Sequence, residues 1–363
     1  MNKRKSSISR KSSIWIGLVI LLLVIGGSFA YQYFQSANQP PIVIRGYVGG
    51  EKINFLENPK VRKILKDRYR IEVDSNKAGS LDMVRANHTG YDFLFPSNQT
   101  ALELYINTIG PTHKDDIIFN TPIVLYTHKL IADALMNEGL VTKSGEVFQI
   151  DMLKLVSYLK EGKSWADVGI PQLYGAMTVD TTDPAKSNSG NMFAGLVANL
   201  LNNGQVVTAP QVDKILPDLT NIFVKLGYME TSSSDLFSQF LKTGVGAKPI
   251  IAGYESQLLE FSKMEPAAWE EVKDDFVILY PVPTVWSTHI LIALNAQGET
   301  LMGALKDAEI QKIAWEDHGF RTGVYGSGSS LKTFSVPGLA GNITQIIQMP
   351  SYRVMETIIQ SFE

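Results

Sequence analysis

From Ser12 to Ile44 the chain carries no charged residue, and within that stretch Ile14–Ala30 is an apolar run, IWIGLVILLLVIGGSFA. The preceding MNKRKSSISRKSS holds Lys3, Arg4, Lys5, Arg10 and Lys11 and no acid. A charge at a bilayer centre costs at least about 2.5 kcal/mol on insertion scales, so a charge-free run beside a basic flank is a membrane signal. The basic flank is expected to stay cytoplasmic, which places everything after the run outside. Tyr31, Tyr33 and Phe34 then fall where interfacial aromatics sit. Two readings stay open. Residues 14–34 fit an uncleaved anchor, which needs about 17–25 apolar residues. A cleaved signal peptide is the other, although Ser28-Phe29-Ala30 only weakly imitates its cleavage site. The expected organisation is a basic stub over 1–13, the anchor over 14–34 and a polar linker, QSANQPP, over 35–41.

The chain has 363 residues and no cysteine, which excludes disulfides, thiolate chemistry, Cys-ligated metals and a lipidated N-terminal cysteine. Any membrane attachment therefore falls to the N-terminal helix. The formal net charge of −3 hides an asymmetry: setting aside the five bases of the first 30 residues leaves 28 Lys and Arg against 36 Asp and Glu. An acidic exported body argues against nucleic acid or anionic lipid as a partner, because both require a basic surface. Its length also exceeds what one core usually fills, so two lobes are expected.

Beyond the linker, strands are expected at Ile42–Val48, Arg70–Val73, Tyr91–Phe95, Pro122–Thr127, Pro249–Ala252, Phe276–Tyr280 and Thr288–Leu294. Helical spacing appears in NPKVRKILKDRY, at Leu81–Arg85, at Met152–Leu159, after Gly190, and near 300–317 and 351–362. The opening alternation of strand and helix predicts an α/β class with a parallel sheet and crossover helices.

Enzyme templates mostly fail. His88, His113, His128, His289 and His318 are dispersed, with no metal-binding spacing, so neither metal site nor cofactor is expected. No nucleophile elbow or phosphate-binding loop occurs. Ser329-Ser330-Leu331-Lys332 and Lys242-Thr243-Gly244 match two motifs of penicillin-recognising serine enzymes, but in reversed order, and no catalytic residue is assigned. What stands out is Ser187-Asn188-Ser189-Gly190 directly before an apolar helix. A helix start leaves N–H groups unpaired and attracts anions or carbonyls, although Ser187 or Ser189 capping the helix is the simpler reading. Three other loops follow strand ends: Gly49-Gly50, Pro96-Ser97-Asn98 and Gly253-Tyr254-Glu255-Ser256. Ligand crevices of open α/β sheets form outside such ends.

The segments YDFLFPSN (91–98), PIVLYTHK (122–129), DTTDPAKSNSGNMFAGL (180–196), IAGYESQLLEF (251–261), FVILYPVPT (276–284) and DHGFRTG (317–323) have an order that resembles the type II periplasmic, or extracellular, solute-binding proteins of ABC importers. Within that group the chain is similar to the branch of molybdate-, sulfate- and phosphate-type binders. The resemblance implies a two-lobed fold with hinge crossover strands, preceded here by the N-terminal transmembrane helix. It also implies that Ser97, Ser187, Ser189, Gly190 and Tyr254 face a ligand. Gly49, Gly50, Asn98 and Glu255 join them as candidate ligand-binding residues from the same loops. Gly49-Gly50-Glu51 departs from the Ser or Thr that simple oxyanion binders usually place after the first strand. Glu51 reads as a solvated loop charge, and Lys186 as an exposed lysine or a counter-charge.

The expected lobes are 42–123 with 286–363, and 124–285, hinged near Pro122–Thr127 and Pro281–Thr288. The expected function is capture of a small polar or anionic solute for ABC import or sensing, by a single-pass protein with its body extracellular, or by a secreted one if the segment is cleaved. Its partners would be that solute and an ABC permease or another envelope protein. The alternatives are an envelope interaction module with a degenerate cleft and an exported α/β hydrolase.

Overall fold

The computed structural model describes residues 21, 23, 24, 26, 27, 40–323, 325 and 328–362. The chain divides into two compact units, Met1–Ile42 and Val43–Glu363. In the first, Leu21, Leu23, Val24, Gly26 and Gly27 are helical. The stub 1–13, the rest of the 14–34 segment and most of the linker 35–41 lie outside the described residues. Among the described residues no helix is long and apolar enough to cross a membrane.

The body is built on β1 (Ile42–Val48), β2 (Ile71–Lys77), β3 (Phe93–Phe95), β4 (Lys114–His128), β5 (Val141–Ser144), β6 (Val147–Asp151), β7 (Ile250–Tyr254), β8 (Phe276–Val282) and β9 (Trp286–Ala293). Their order is β2-β1-β3-β9-β4-β8-β6-β5, with β7 also paired to β4. β4 is the spine. Its first half pairs with β9, from Lys114↔Ala293 to Pro122↔Trp286. Past Pro122 it leaves β9 and takes β7 on one side and β8 on the other. β8 and β9 thus lie end to end along β4.

The expected parallel sheet is corrected to a mixed one. β1 with β3 and β6 with β8 are parallel, whereas β3 with β9, β4 with β7, β8 and β9, and β5 with β6 are antiparallel. The reason is that β8 and β9, separated by only three residues, run on in one direction along the single long strand β4 and so both meet it antiparallel. β4 is also longer than its apolar run, because Lys114, Asp115 and Ile117 are exposed and only Thr121–His128 is continuously buried.

Strand side chains alternate between faces, and here both faces are covered. Phe93 and Phe95 enter one core with Ile44, Phe55 and Leu291, while Leu94 joins Met83, Leu102, Ile290 and Ile292 on the other face. Farther along β4, Ile123 and Leu125 enter a core with Leu155, Phe193 and Leu219, while Val124 and Tyr126 meet Phe240, Leu258 and Trp269. Double burial explains runs such as PIVLYT, which do not alternate.

Helix ends follow local chemistry. Asn98 caps Gln99–Thr108 by accepting from Ala101 N at 2.8 Å. The region 300–317 is two helices, Ala296–Leu305 and Ala308–Glu316, because Asp307 accepts from Glu309 N and starts the second. The last helix, Tyr352–Gln360, packs Val354, Met355 and Ile358 into the core around Ile123 and Leu125. It also reaches the Ser80–Arg85 and Gln99–Thr108 helices: Arg85 pairs with Glu356 at 3.0 Å, and Tyr352 N donates to Glu103 Oε2 at 3.0 Å.

Candidate functional site

The loops after β1, β3 and β7 and the start of the Asn188–Leu201 helix converge at one place. Asn188 ties three of them together: its amide nitrogen donates to Ser97 O at 3.2 Å and to the Tyr254 hydroxyl at 2.9 Å. Its oxygen accepts from the Asn98 amide. Beside these bonds, Gly79–Asp82 and Pro184–Asn191 leave only about 10 Å³ between them. The space that remains is a cleft of about 390 Å³, lined by Gly49, Gly50, Glu51, Lys77, Ser80, Lys186, Ser187 and the hydroxyl run Thr231–Ser234, with Asp235. Lys77 and Lys186 are exposed cations on its rim.

At the Ser-rich turn, no side chain caps the Asn188–Leu201 helix. The simple capping reading of Ser187 and Ser189 is therefore corrected: Ser189 Oγ bonds Thr182 Oγ1 at 2.7 Å and Ser187 Oγ lies 3.2 Å from it. Gly190 is required by close approach, since a Cβ there would stand 2.0 Å from the Thr182 carbonyl oxygen. Backbone meets backbone at that point, so nothing cheap can give way. Gly190→Ala is expected to cost about 1–3 kcal/mol, as overpacking does, read as a lower urea midpoint with an unchanged slope.

The structure corrects the expectation for Glu51. Its side chain is only 9% exposed and belongs to a buried cluster. Lys52, wholly buried, donates from Nζ to Glu51 Oε1 at 2.5 Å and Ser97 Oγ at 2.6 Å, and lies 3.2 Å from His289 Nδ1. The Ser97 hydroxyl donates in turn to the same Glu51 oxygen. Ser287 Oγ bonds Ser97 O at 2.8 Å and lies 3.4 Å from His289 Nε2. The three Lys52 protons thus have three acceptors, so the ammonium is satisfied without water. Glu51 and Lys52 fold over the Cα of Gly49, where a Cβ would meet the Glu51 carboxylate at 2.5 Å.

The charges follow from this arrangement. Burial by itself would push Glu51 up, but the Lys52 charge, His289 and the hydrogen bonds from Lys52 and Ser97 bring it down to about 2. Burial draws Lys52 below the ordinary lysine value while Glu51 pulls it back. Burial, followed by the Lys52 charge, takes His289 well below an ordinary histidine. The imidazole is then neutral near pH 7 and can accept from Lys52. Burial, with the Glu51 charge added, raises Tyr254 well above an ordinary phenol, so its hydroxyl keeps its proton.

The candidates from sequence fall into two groups. Gly49, Gly50 and Ser187 line the cleft. Ser97, Asn98, Ser189, Gly190 and Tyr254 are buried behind it and hold its walls together. Glu255 is neither: it is fully buried, paired with Arg321 at 2.6 and 2.7 Å and hydrogen-bonded by the Tyr280 hydroxyl at 2.5 Å. That assignment is corrected to a strut, because both carboxylate oxygens are engaged inside the protein. Lys52, Asn188, Ser287 and His289 were missed. Ser287 and His289 could have been found from period 2 on β9, where they are the polar pair on one face.

Ser97 beside Lys52 is also the pairing that serine nucleophiles use. Here Ser97 is sealed from solvent and its proton is directed to Glu51. Among the described residues no group of His, Asp or Glu could hold a metal ion.

Neither a family model nor a curated protein matches the sequence. Solved structures do match its shape. A periplasmic thiamin binding protein superposes with TM-score 0.56 at 11% identity over 89% of this chain and 96% of that one. The periplasmic binding protein AfuA from Actinobacillus pleuropneumoniae, with fructose-6-phosphate bound, gives 0.55 at 11% over 88% and 97%. The chain has the type II periplasmic-binding-protein fold. The sulfate-binding protein SubI from Mycobacterium tuberculosis, at 0.50 and 14% over 83% and 93%, shares it. At these identities the likeness is one of fold.

Proposed function

We propose that the chain is a solute-binding protein of the ABC-import type, held at the outer face of a membrane by its N-terminal segment, that captures a small polar or anionic solute without chemical change. The observation that carries this reading is the convergence of four chain segments, 49–51, 77–80, 186–188 and 231–235, on one cleft of about 390 Å³ lined by hydroxyls, Lys77 and Lys186. Structures of the same fold are named as binding thiamin, sulfate and fructose-6-phosphate, three solutes with charged groups.

The lobes are 42–123 with 286–363, and 124–285, with β4 at Pro122 and the β8–β9 junction as hinge. Thr284 laces that junction: its Oγ1 donates to Ile123 O at 2.7 Å, and its N–H donates to Gln345 O at 3.0 Å. The tail, counted with the first lobe, packs its last helix on the second and spans both.

The test is a thermal-shift panel of oxyanions, sugar phosphates, sugars and amino acids on the full chain. A ligand at 100 times its Kd stabilises by about 2.7 kcal/mol, a shift of several degrees. Lys186→Ala and Lys77→Ala are each expected to weaken the active compound about 3- to 10-fold, as loss of one partly exposed charge-assisted bond does. A panel with no active compound favours the second reading, an envelope interaction module with a degenerate cleft. The Lys52 cation, buried behind the cleft and already paired with Glu51, is the observation that favours it.

A further inference from the structure

Lys52 and Ser97 are buried donors directly behind Glu51, which lines the cleft, and that one group already takes both. The Glu51 carboxylate oxygen accepts from the Lys52 ammonium at 2.5 Å and from the Ser97 hydroxyl. Both donors are wholly buried, and Glu51 is the neighbour of Lys52 in sequence. The Gly49-Gly50 turn permits this fold-back, since side chains at those positions would collide with Glu51 and Lys77. Glu51 also lines the cleft, so it stands between these two buried donors and the open space.

We propose that Glu51 is the built-in anion of this cleft: its carboxylate occupies the seat that Lys52 and Ser97 would otherwise offer to a free oxyanion. Glu51 is thereby a specificity-determining residue that excludes bare inorganic oxyanions. The inference rests on the reading of this cleft as a ligand seat, and it narrows the solute. The solute docks in the cleft, presents hydroxyl or amine donors to Glu51, and can place an anionic group only toward the Lys77 and Lys186 rim. The physical reason is competition within one molecule. A carboxylate tethered next to its cation has an effective concentration of about millimolar or more, and a second anion beside it would meet like charge in a poorly solvated place.

The experiment is chemical rescue. Full-length wild type, Glu51→Ala and Glu51→Ser are melted in formate, sulfate or molybdate, each against chloride at matched ionic strength. Wild type is expected to be indifferent to the change of anion. Both variants should melt lower in chloride and recover by several degrees in formate or sulfate, and sulfate should bind Glu51→Ala at least about tenfold more tightly than wild type. Three results would overturn the proposal: wild type binding sulfate as tightly as the variants, folded variants that no oxyanion raises above chloride, or variants that stay unfolded in every anion. The last would make the carboxylate a requirement of the fold. The metabolite panel on wild type judges the receptor reading separately: a silent panel with rescued variants rejects the receptor and keeps the filled seat.

Discussion

Glu255→Ala is expected to lower stability by about 3–5 kcal/mol, the cost of stranding one member of a buried ion pair. Arg321 is 6% exposed and directs two nitrogens at Glu255, at 2.6 and 2.7 Å. Removing the carboxylate leaves that guanidinium charged in an apolar setting, because arginine does not deprotonate in proteins. The Tyr280 hydroxyl loses its acceptor as well. Arg321 also donates to Gly341 O at 3.1 Å and Ala340 O at 2.5 Å, so its displacement would loosen the tail that packs in the core around Val124 and Tyr126. Glu255→Gln keeps the shape and one acceptor and should lose less. Replacing both partners by Met should recover part of the loss, since well-packed apolar pairs often match buried ion pairs. Equilibrium urea unfolding of the three variants checks the order. Ligand affinity of folded Glu255→Gln checks the strut assignment: a large loss of affinity at near-normal stability would return Glu255 to the ligand-binding set.

The architecture was visible in the sequence wherever burial acts on both faces of a strand. PIVLYT, FVILYP and YDFLF carry too little polarity for a half-exposed sheet, and each is central in the fold. The four candidate loops were visible because Gly, Ser, Asn and Pro cluster in them, and the fold does bring them together. Strand direction was not visible, since an apolar run carries no sign of which way its neighbour points. The first half of β4 was hidden for the opposite reason: Lys114, Asp115 and Asp116 read as loop, and only pairing with β9 makes them strand. Asn188 was overlooked between two serines, although its amide can donate and accept at once, as bridging loops requires. The Glu51–Lys52 cluster was the least visible part. Adjacent Glu and Lys after two glycines read as a solvated turn, and only the positions of Ser97 and His289, distant in sequence, show why that turn is buried. Legibility therefore ended where charges are paired across long sequence separations.

Glu51 should also set the acid limit of the fold, and the sign of the effect is fixed by its depressed pKa. The carboxyl moves from about 4.5 in an unfolded chain to about 2 in the folded one. A depressed folded pKa means that the unfolded state binds the proton more readily. The stabilisation is complete above the unfolded value and declines as pH falls from about 4.5 through about 2. A shift of that size corresponds to about 3 kcal/mol at neutral pH. The groups facing the carboxylate do not offset it over that window. Lys52 remains charged, and Ser97 and Tyr254 do not titrate there. Protonation of buried His289 in acid would place a second cation beside Lys52 and destabilise further. Glu51→Gln removes the titration and leaves Lys52 without a counter-charge, so it should be less stable than wild type at pH 7 by about 3 kcal/mol or more. The gap between the two proteins should close steadily as pH drops toward 2, because wild type loses what the variant never had. Urea midpoints of both proteins, taken from pH 7 downward, read this directly. A gap that stays constant across the acid range would place Glu51 in water and remove it from the Lys52 pair.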